Sequence, residues 1–261
     1  MTSYRAKIPG PDGSITYTPG EHAVWRDLMA RQRPNVDRHM SRVFLDGLAK
    51  LNLSEVRVPR ITEIRAALGA ATGWSVEPVP ALIPETEFFR LLAGCRFPAA
   101  SFIRRREHFD YIEEPDIFHE IFGHAPLLAD PRFAAFSRHI GKTGLDAPAD
   151  IHGDLIRLYW FAIEFGLTTE DGVTKALGAG LASSPTELPW SVLAPEVERR
   201  AFVLRDVLRT PYRIDIKQPV YYVIEDLDAL FDLAEIDLAT EIAAARAKGM
   251  FAPNFPLIAA E

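Results

Sequence analysis

The segment Glu114–Leu128, EPDIFHEIFGHAPLL, carries two histidines five positions apart, His119 and His124. Further along, the apolar stretch Leu158–Leu167, LYWFAIEFGL, holds a single carboxylate, Glu164. Two imidazoles and one carboxylate are the donor set that grips a non-haem Fe(II) on one face and leaves the other positions open. The spacing constrains how this can happen. At about 100° per residue, α-helical positions five apart point roughly 140° away from each other, so a straight helix cannot offer both rings to one ion. A helix break is therefore expected, with Gly123 in left-handed backbone at a helix end and Pro126 preventing the helix from resuming. The same offset separates this pair from the i, i+4 histidines of HExxH zinc sites.

Glu164 sits among Leu155, Ile156, Leu158, Tyr159, Phe161, Ala162 and Phe165, whose spacing predicts a buried helix. An ionised carboxylate there needs a partner, either a metal or an arginine such as Arg157. Taken alone, the ion pair is the commoner solution. Two histidines around a helix break shift the balance towards metal.

Composition narrows the classes. The chain has 261 residues, 48% of them hydrophobic, enough for a substantial core, and a net charge of −7. That charge argues against a nucleic-acid footprint, and the densest basic run, Arg104–Arg106, is followed at once by Glu107. The single cysteine, Cys95, permits no intrachain disulfide and suits a reducing compartment, so a cytoplasmic protein is expected. No apolar run reaches the ~18 uncharged residues of a membrane span, and the N-terminus lacks a signal-peptide core.

Residues 1–16 read as an irregular lead-in and 17–261 as one domain, mostly helical with a few short strands, an α+β class. Apolar spacing predicts two helices between Glu21 and Leu51 interrupted near Pro34, and others at 61–72, 85–94, 115–123, 131–140 and 150–166. VEPVPALIP, residues 76–84, suggests an edge strand. Alternation at Ile214 and Ile216, then Val220, Tyr222 and Ile224, suggests two more.

Four blocks in order, EPDIFHEIFGHAPLL, LYWFAIEFGL, GAGLASS (178–184) and RTPYRIDIKQPVYYV (209–223), closely resemble the pterin-dependent aromatic amino acid hydroxylases, nearest to their single-domain bacterial phenylalanine-hydroxylating members. The likeness runs from about Tyr17 to about Ala234 and covers the catalytic domain alone, with no counterpart of the regulatory domain or tetramerisation helix of animal relatives. It implies a monomer. It also implies Fe(II) held by His119, His124 and Glu164, a tetrahydropterin (tetrahydrobiopterin or a relative) as reductant, and O2 as co-substrate, one oxygen atom going to the substrate ring.

Further roles follow from the resemblance. Arg104 would bind the substrate carboxylate, a task suited to a guanidinium fork; a surface arginine is the plainer reading. Asp116 would orient Arg104 or the ligand shell, unless it merely sits at a helix N-terminus. Trp160 and Phe165 would wall the substrate ring, beside Gly180, Ser183 and Ser184, with Ser183 partnering an iron-bound histidine. Phe88 would stack on the pterin, with Ile83, Glu120 and Tyr159 completing that side, and Glu120 acting near the metal without ligating it. Ordinary core packing would equally explain the aromatics, and Phe89 competes with Phe88.

Trp160 resembles phenylalanine and tyrosine hydroxylases, and Ile214 stands where tyrosine hydroxylases carry Asp. These point to L-phenylalanine converted to L-tyrosine, with tryptophan or a different ring position, giving meta-tyrosine, as the alternative. Pro189-Trp190 in PTELPWSV departs from the family pattern, at a place where it could reshape the ring pocket. Two other classes stay open: a zinc hydrolase with Glu120 as general base, and a non-catalytic sensor of aromatic amino acids.

Overall fold

Thr18 opens the first helix, Pro19–His39. Its hydroxyl accepts from the Glu21 N–H while the Glu21 carboxylate accepts from the Thr18 N–H at 2.7 Å, a reciprocal cap. The computed structural model describes residues 4–10, 14–80, 83–110, 112 and 114–255. Pro34 does not interrupt this helix, contrary to expectation. The chain gives way at Met40 instead, where the Ser41 N–H donates to the Ala176 carbonyl and Ser41 then caps the helix Arg42–Leu51. The proline is tolerated because the helix is held from outside. Trp25, Leu28 and Val36 are buried, and the Gln32 amide donates to the Ala182 and Ser184 carbonyls.

Helices also cover Ile61–Thr72, Glu85–Ala93 and Pro131–Asp146, where the apolar spacing puts them. Strand β1 (Ser75–Val79) pairs in parallel with β2 (Arg96–Ala100). Residues 81–82 of the expected VEPVPALIP strand lie outside the described residues. Strands β3 (Leu167–Glu170), β4 (Val173–Ala176), β5 (Glu198–Ala201) and β6 (Val220–Val223) form a second sheet in the order β4-β3-β6-β5. A two-residue turn with Asp171 and Gly172 both in left-handed backbone, φ 51° and 76°, joins β3 to β4. The class is α+β, mainly helical.

The expected strand at Ile214 and Ile216 does not form. Residues 213–216 make a bend, with Ile214 72% exposed, because the Gln218 side-chain amide takes the Arg213 and Ile216 carbonyls that a strand partner would need. At the other side of the core, an aromatic chain ties the first two helices to the histidine segment. Trp25 meets Phe118 edge-on at 5.3 Å, Phe118 stacks on Phe122 at 4.8 Å, and Phe122 meets Phe44 at 6.3 Å. Burial of these rings fixes the segment that presents His119 and His124.

Candidate metal centre and its two cavities

Residues His119–His124 form one turn of π-helix. Its i→i+5 hydrogen bonding brings the residue five positions on back to the same side, so the two histidines converge without a break. The expectation of a left-handed Gly123 is thereby corrected. Gly123 is not in positive-φ backbone; what it supplies is room, since a Cβ there would stand 2.7 Å from the Ala179 carbonyl oxygen. Pro126 does not stop the helix, which resumes at once as Ala125–Leu128 with the proline in its first turn.

Glu164 is placed by a second π-turn. The helix His152–Tyr159 widens at Trp160–Glu164, and the Phe165 N–H donates to the Trp160 carbonyl at 2.9 Å. The GAGLASS segment then packs on both π-turns. Gly178 is needed because a Cβ would come 2.0 Å from the Glu164 carbonyl oxygen.

The three side chains meet. His119 Nε2 and His124 Nε2 are 3.0 Å apart, and Glu164 Oε1 lies 2.9 Å from His124 Nε2, with Oε2 3.7 Å from His119 Nε2. An ion at the usual metal–imidazole distance of about 2.1 Å would see nitrogens 3.0 Å apart at roughly a right angle, so the donor set fits a facial site. Burial lowers the His119 imidazole to about 4, against the pull of Glu164, which keeps it neutral as a ligand must be. Burial works to raise the Glu164 carboxyl, but His124, His119 and the Gly180 N–H hold it below its ordinary value. Arg157 pairs with Asp154 at 2.7 Å, which removes the ion-pair explanation of Glu164.

Glu120 offers a competing carboxylate, since its oxygen lies with donor atoms of both histidines within 4.8 Å. Burial first, and Glu164 second, push its carboxyl well above the ordinary range, whereas the carboxyl of Glu164 is held down. A charged Glu164 is the better ligand of the two.

Around this centre, Ser183 Oγ sits 2.9 Å from His119 Nδ1 and donates to the Gly180 carbonyl. The serine therefore accepts from Nδ1–H, leaving the Nε2 lone pair directed at the metal position. Arg104 is not at the surface. It is buried against Asp116, with Nε and Nη2 on the two carboxylate oxygens at 2.8 and 2.9 Å, and Asp116 also accepts from the His119 backbone N–H. Asp116 thus does both tasks weighed for it, orienting Arg104 and capping the histidine turn. Burial opposes its ionisation, yet Arg104 holds its carboxyl below the usual range.

Two cavities open on the triad. One, about 250 Å³, is lined by Ile83, Phe88, Glu120 and Tyr159 together with all three triad residues. The other, about 300 Å³, is lined by Arg104, Trp160, Phe165, Gly180, Ser183 and Ser184, with Ile214 at its rim. His119, Glu164, Trp160 and Pro115 border both. Asp116 lines neither and acts through Arg104.

Comparison with known proteins decides the family. The model for biopterin-dependent aromatic amino acid hydroxylases matches residues 2–236. The chain belongs to this family. It is 47% identical to the phenylalanine-4-hydroxylase of Pseudomonas aeruginosa over 98% of this chain and 97% of the relative. Its fold matches the apo cold-active phenylalanine hydroxylase of Colwellia psychrerythraea with a TM-score of 0.94 at 42% identity, covering 97% and 98% of the two chains. The Chromobacterium violaceum phenylalanine hydroxylase with bound oxidised Fe(III) matches at a TM-score of 0.88 and 36% identity, covering 94% and 89%.

As a hydroxylase, the molecule separates Phe88 from Phe89 clearly. Phe88 lines the 250 Å³ cavity and meets Tyr159 edge-on at 5.5 Å, whereas Phe89 is fully buried between the Gly144 backbone and His152. The Tyr159 hydroxyl is buried with no hydrogen-bond partner among the described residues, and a polar heterocycle in this cavity would supply one. Pro189 and Trp190 line neither cavity; their helix, Glu187–Leu193, stands behind the wall. Sequence reasoning missed Tyr212, stacked on Trp160 at 4.8 Å, and Phe97, 4.6 Å from the His124 ring. Tyr212 lay within the quoted RTPYRIDIKQPVYYV block, but nothing in its spacing marked it.

Proposed function

We infer that this hydroxylase converts L-phenylalanine to L-tyrosine, using Fe(II), a tetrahydropterin and O2. The observation that carries the reading is the pair of cavities meeting at one triad, one with an aromatic wall and a buried hydroxyl left without a partner among the described residues, the other with a buried guanidinium. When bound, the iron and the reduced pterin would supply the activation of O2, with one oxygen atom going to the substrate ring and the other to the pterin.

The protein's own residues divide the remaining work. His119, His124 and Glu164 hold the metal. Arg104, its fork fixed by Asp116, receives the substrate carboxylate with its free Nη1. Trp160 and Phe165, 4.5 Å apart, set the ring against the triad, with Gly180 and Ser184 closing the amino acid end and Ile214 the rim. Phe88 and Tyr159 would orient the pterin, with Ile83 in the same lining. Glu120, whose carboxyl burial pushes upward, stands beside the metal on the pterin side, where it can hold or pass a proton. The convergence of His119, His124 and Glu164, together with the family match, disfavours the hydrolase reading with Glu120 as base.

We place residues 17–261 in one catalytic domain after the 1–16 lead-in, acting as a cytoplasmic monomer without a nucleic-acid partner. The lone cysteine suits the cytoplasm, and the net charge of −7 argues against a nucleic-acid partner. Among the described residues no helix is long and apolar enough to cross a membrane. Iron-loaded protein given a tetrahydropterin, O2 and a panel of phenylalanine, tyrosine and tryptophan tests the reading. Para-tyrosine is the expected main product; meta-tyrosine or 5-hydroxytryptophan as main product, or no turnover as in a sensor, would overturn it.

A further inference from the structure

Gln218 is buried and every one of its polar groups is used. Its backbone N–H donates to Glu187 Oε1 at 2.8 Å, and its carbonyl accepts from the Trp190 indole N–H at 3.4 Å. The side-chain oxygen accepts from the Trp160 indole N–H at 3.4 Å, while the side-chain nitrogen donates to the carbonyls of Arg213 and Ile216 at 2.8 and 3.0 Å. Glu187 is anchored in turn by the Tyr221 hydroxyl at 2.7 Å, and its own N–H donates to Ser184 Oγ.

One residue thus joins three walls of the 300 Å³ cavity. Trp160 forms its aromatic side, the 213–216 bend carries Ile214 at its rim, and Glu187 lies in its lining. The bend belongs to neither sheet, so the Gln218 amide is what gives its carbonyls fixed partners. Trp190, which lines neither of the two cavities on the triad, braces the same residue from behind.

We propose that Gln218 is a specificity-determining positioning residue: it clamps the Trp160 indole and the 213–216 bend at one separation, and so sets the width of the aromatic amino acid cavity. Glu187 and Trp190 act through it. An apolar pocket alone distinguishes aromatic side chains weakly, so rigidity of the wall must supply part of the discrimination between a phenyl and an indole ring. With the clamp intact, the larger ring pays to displace Trp160 or Ile214. Without it, the bend moves aside.

The inference rests on the phenylalanine-hydroxylating reading, and its test separates the two. Gln218→Met keeps length and burial but removes both donors and the amide oxygen. In the iron-loaded variant the KM for phenylalanine should rise, and the kcat/KM preference for phenylalanine over tryptophan should narrow about tenfold, the scale of a single pocket contact. The kcat for phenylalanine and the KM for tetrahydropterin should stay within about threefold, since the bend borders only the substrate cavity and Trp160 alone of the clamped groups reaches the other. An unchanged preference would overturn the clamp, as would equal losses on the substrate and pterin sides with a lowered melting temperature. If Gln218→Met fails to fold, Trp190→Phe carries the test, because it deletes the brace to the Gln218 carbonyl and keeps an aromatic ring in place. A smaller narrowing in the same direction supports the clamp and none refutes it. Should wild-type protein give no tyrosine, the parent reading fails. Calorimetric affinities of wild type and variant for L-phenylalanine and L-tryptophan then still decide whether Gln218 sets the preference.

Discussion

Arg104 and Asp116 show how a single pair can serve a site and a fold together. The pair is 4% and 0% exposed, so removing one partner leaves a buried charge uncompensated, at a cost of about 3–5 kcal/mol. Asp116→Ala should therefore lower stability by that order in denaturant melts, besides raising the KM for phenylalanine. The pH dependence has a definite sign. The folded Asp116 carboxyl is depressed, so its contribution is fully present above the unfolded value of about 4 and is lost as pH falls through the lower folded value. Urea midpoints followed below pH 4 should fall more steeply in wild type than in Asp116→Asn. Ser183 makes a separate point about ligand orientation. Ser183→Ala removes the acceptor from His119 Nδ1–H and should weaken iron binding roughly 10–100-fold, measured by competition with a chelator. The sequence showed these residues individually through motif register, yet burial of Arg104 was illegible, because an arginine in an Arg-Arg-Arg run looks solvated until the fold covers it.

At the scale of elements, the π-turns explain the awkward five-residue offset. Periodicity recognised that a straight α-helix fails, but it had only broken helices to offer, because apolar spacing cannot report an i→i+5 turn. The interruption expected at Pro34 failed for a related reason. Local chemistry favours it, while contacts from Ala176 and Ala182 decide where the helix ends. The β3–β4 hairpin was legible in its Asp171-Gly172 turn and was overlooked beside the longer helical signals. Gly123 carries the sharpest test of the packing argument. Gly123→Ala drives a methyl towards the Ala179 carbonyl, so a stability loss of about 1–3 kcal/mol is expected together with reduced iron content, read by thermal melts and metal analysis on the same sample. An alanine variant with native melting and full iron would remove close approach as the reason for glycine here.

Across the whole molecule, the triad joins segments distant in sequence: the turn at 119–124, the turn at 160–164, and the Ala179–Ser183 helix locked onto both. Metal bound there links these elements in the folded state only. Fe(II) at a hundred times its dissociation constant should add about 2.7 kcal/mol, seen as a melting temperature several degrees higher that a chelator reverses. The general fold class and the order of site blocks were readable along the chain, whereas the partition of site residues between two cavities required the fold itself.

The assignment of Glu164, and not Glu120, as the third ligand underlies every step of this account. Iron per chain in purified Glu164→Gln and Glu120→Gln, each loaded with Fe(II) and desalted, tests it most directly. Glu164→Gln should lose most of its iron and its tyrosine formation, while Glu120→Gln keeps close to wild-type iron content. Retention of full iron by Glu164→Gln, with loss from Glu120→Gln, would contradict it.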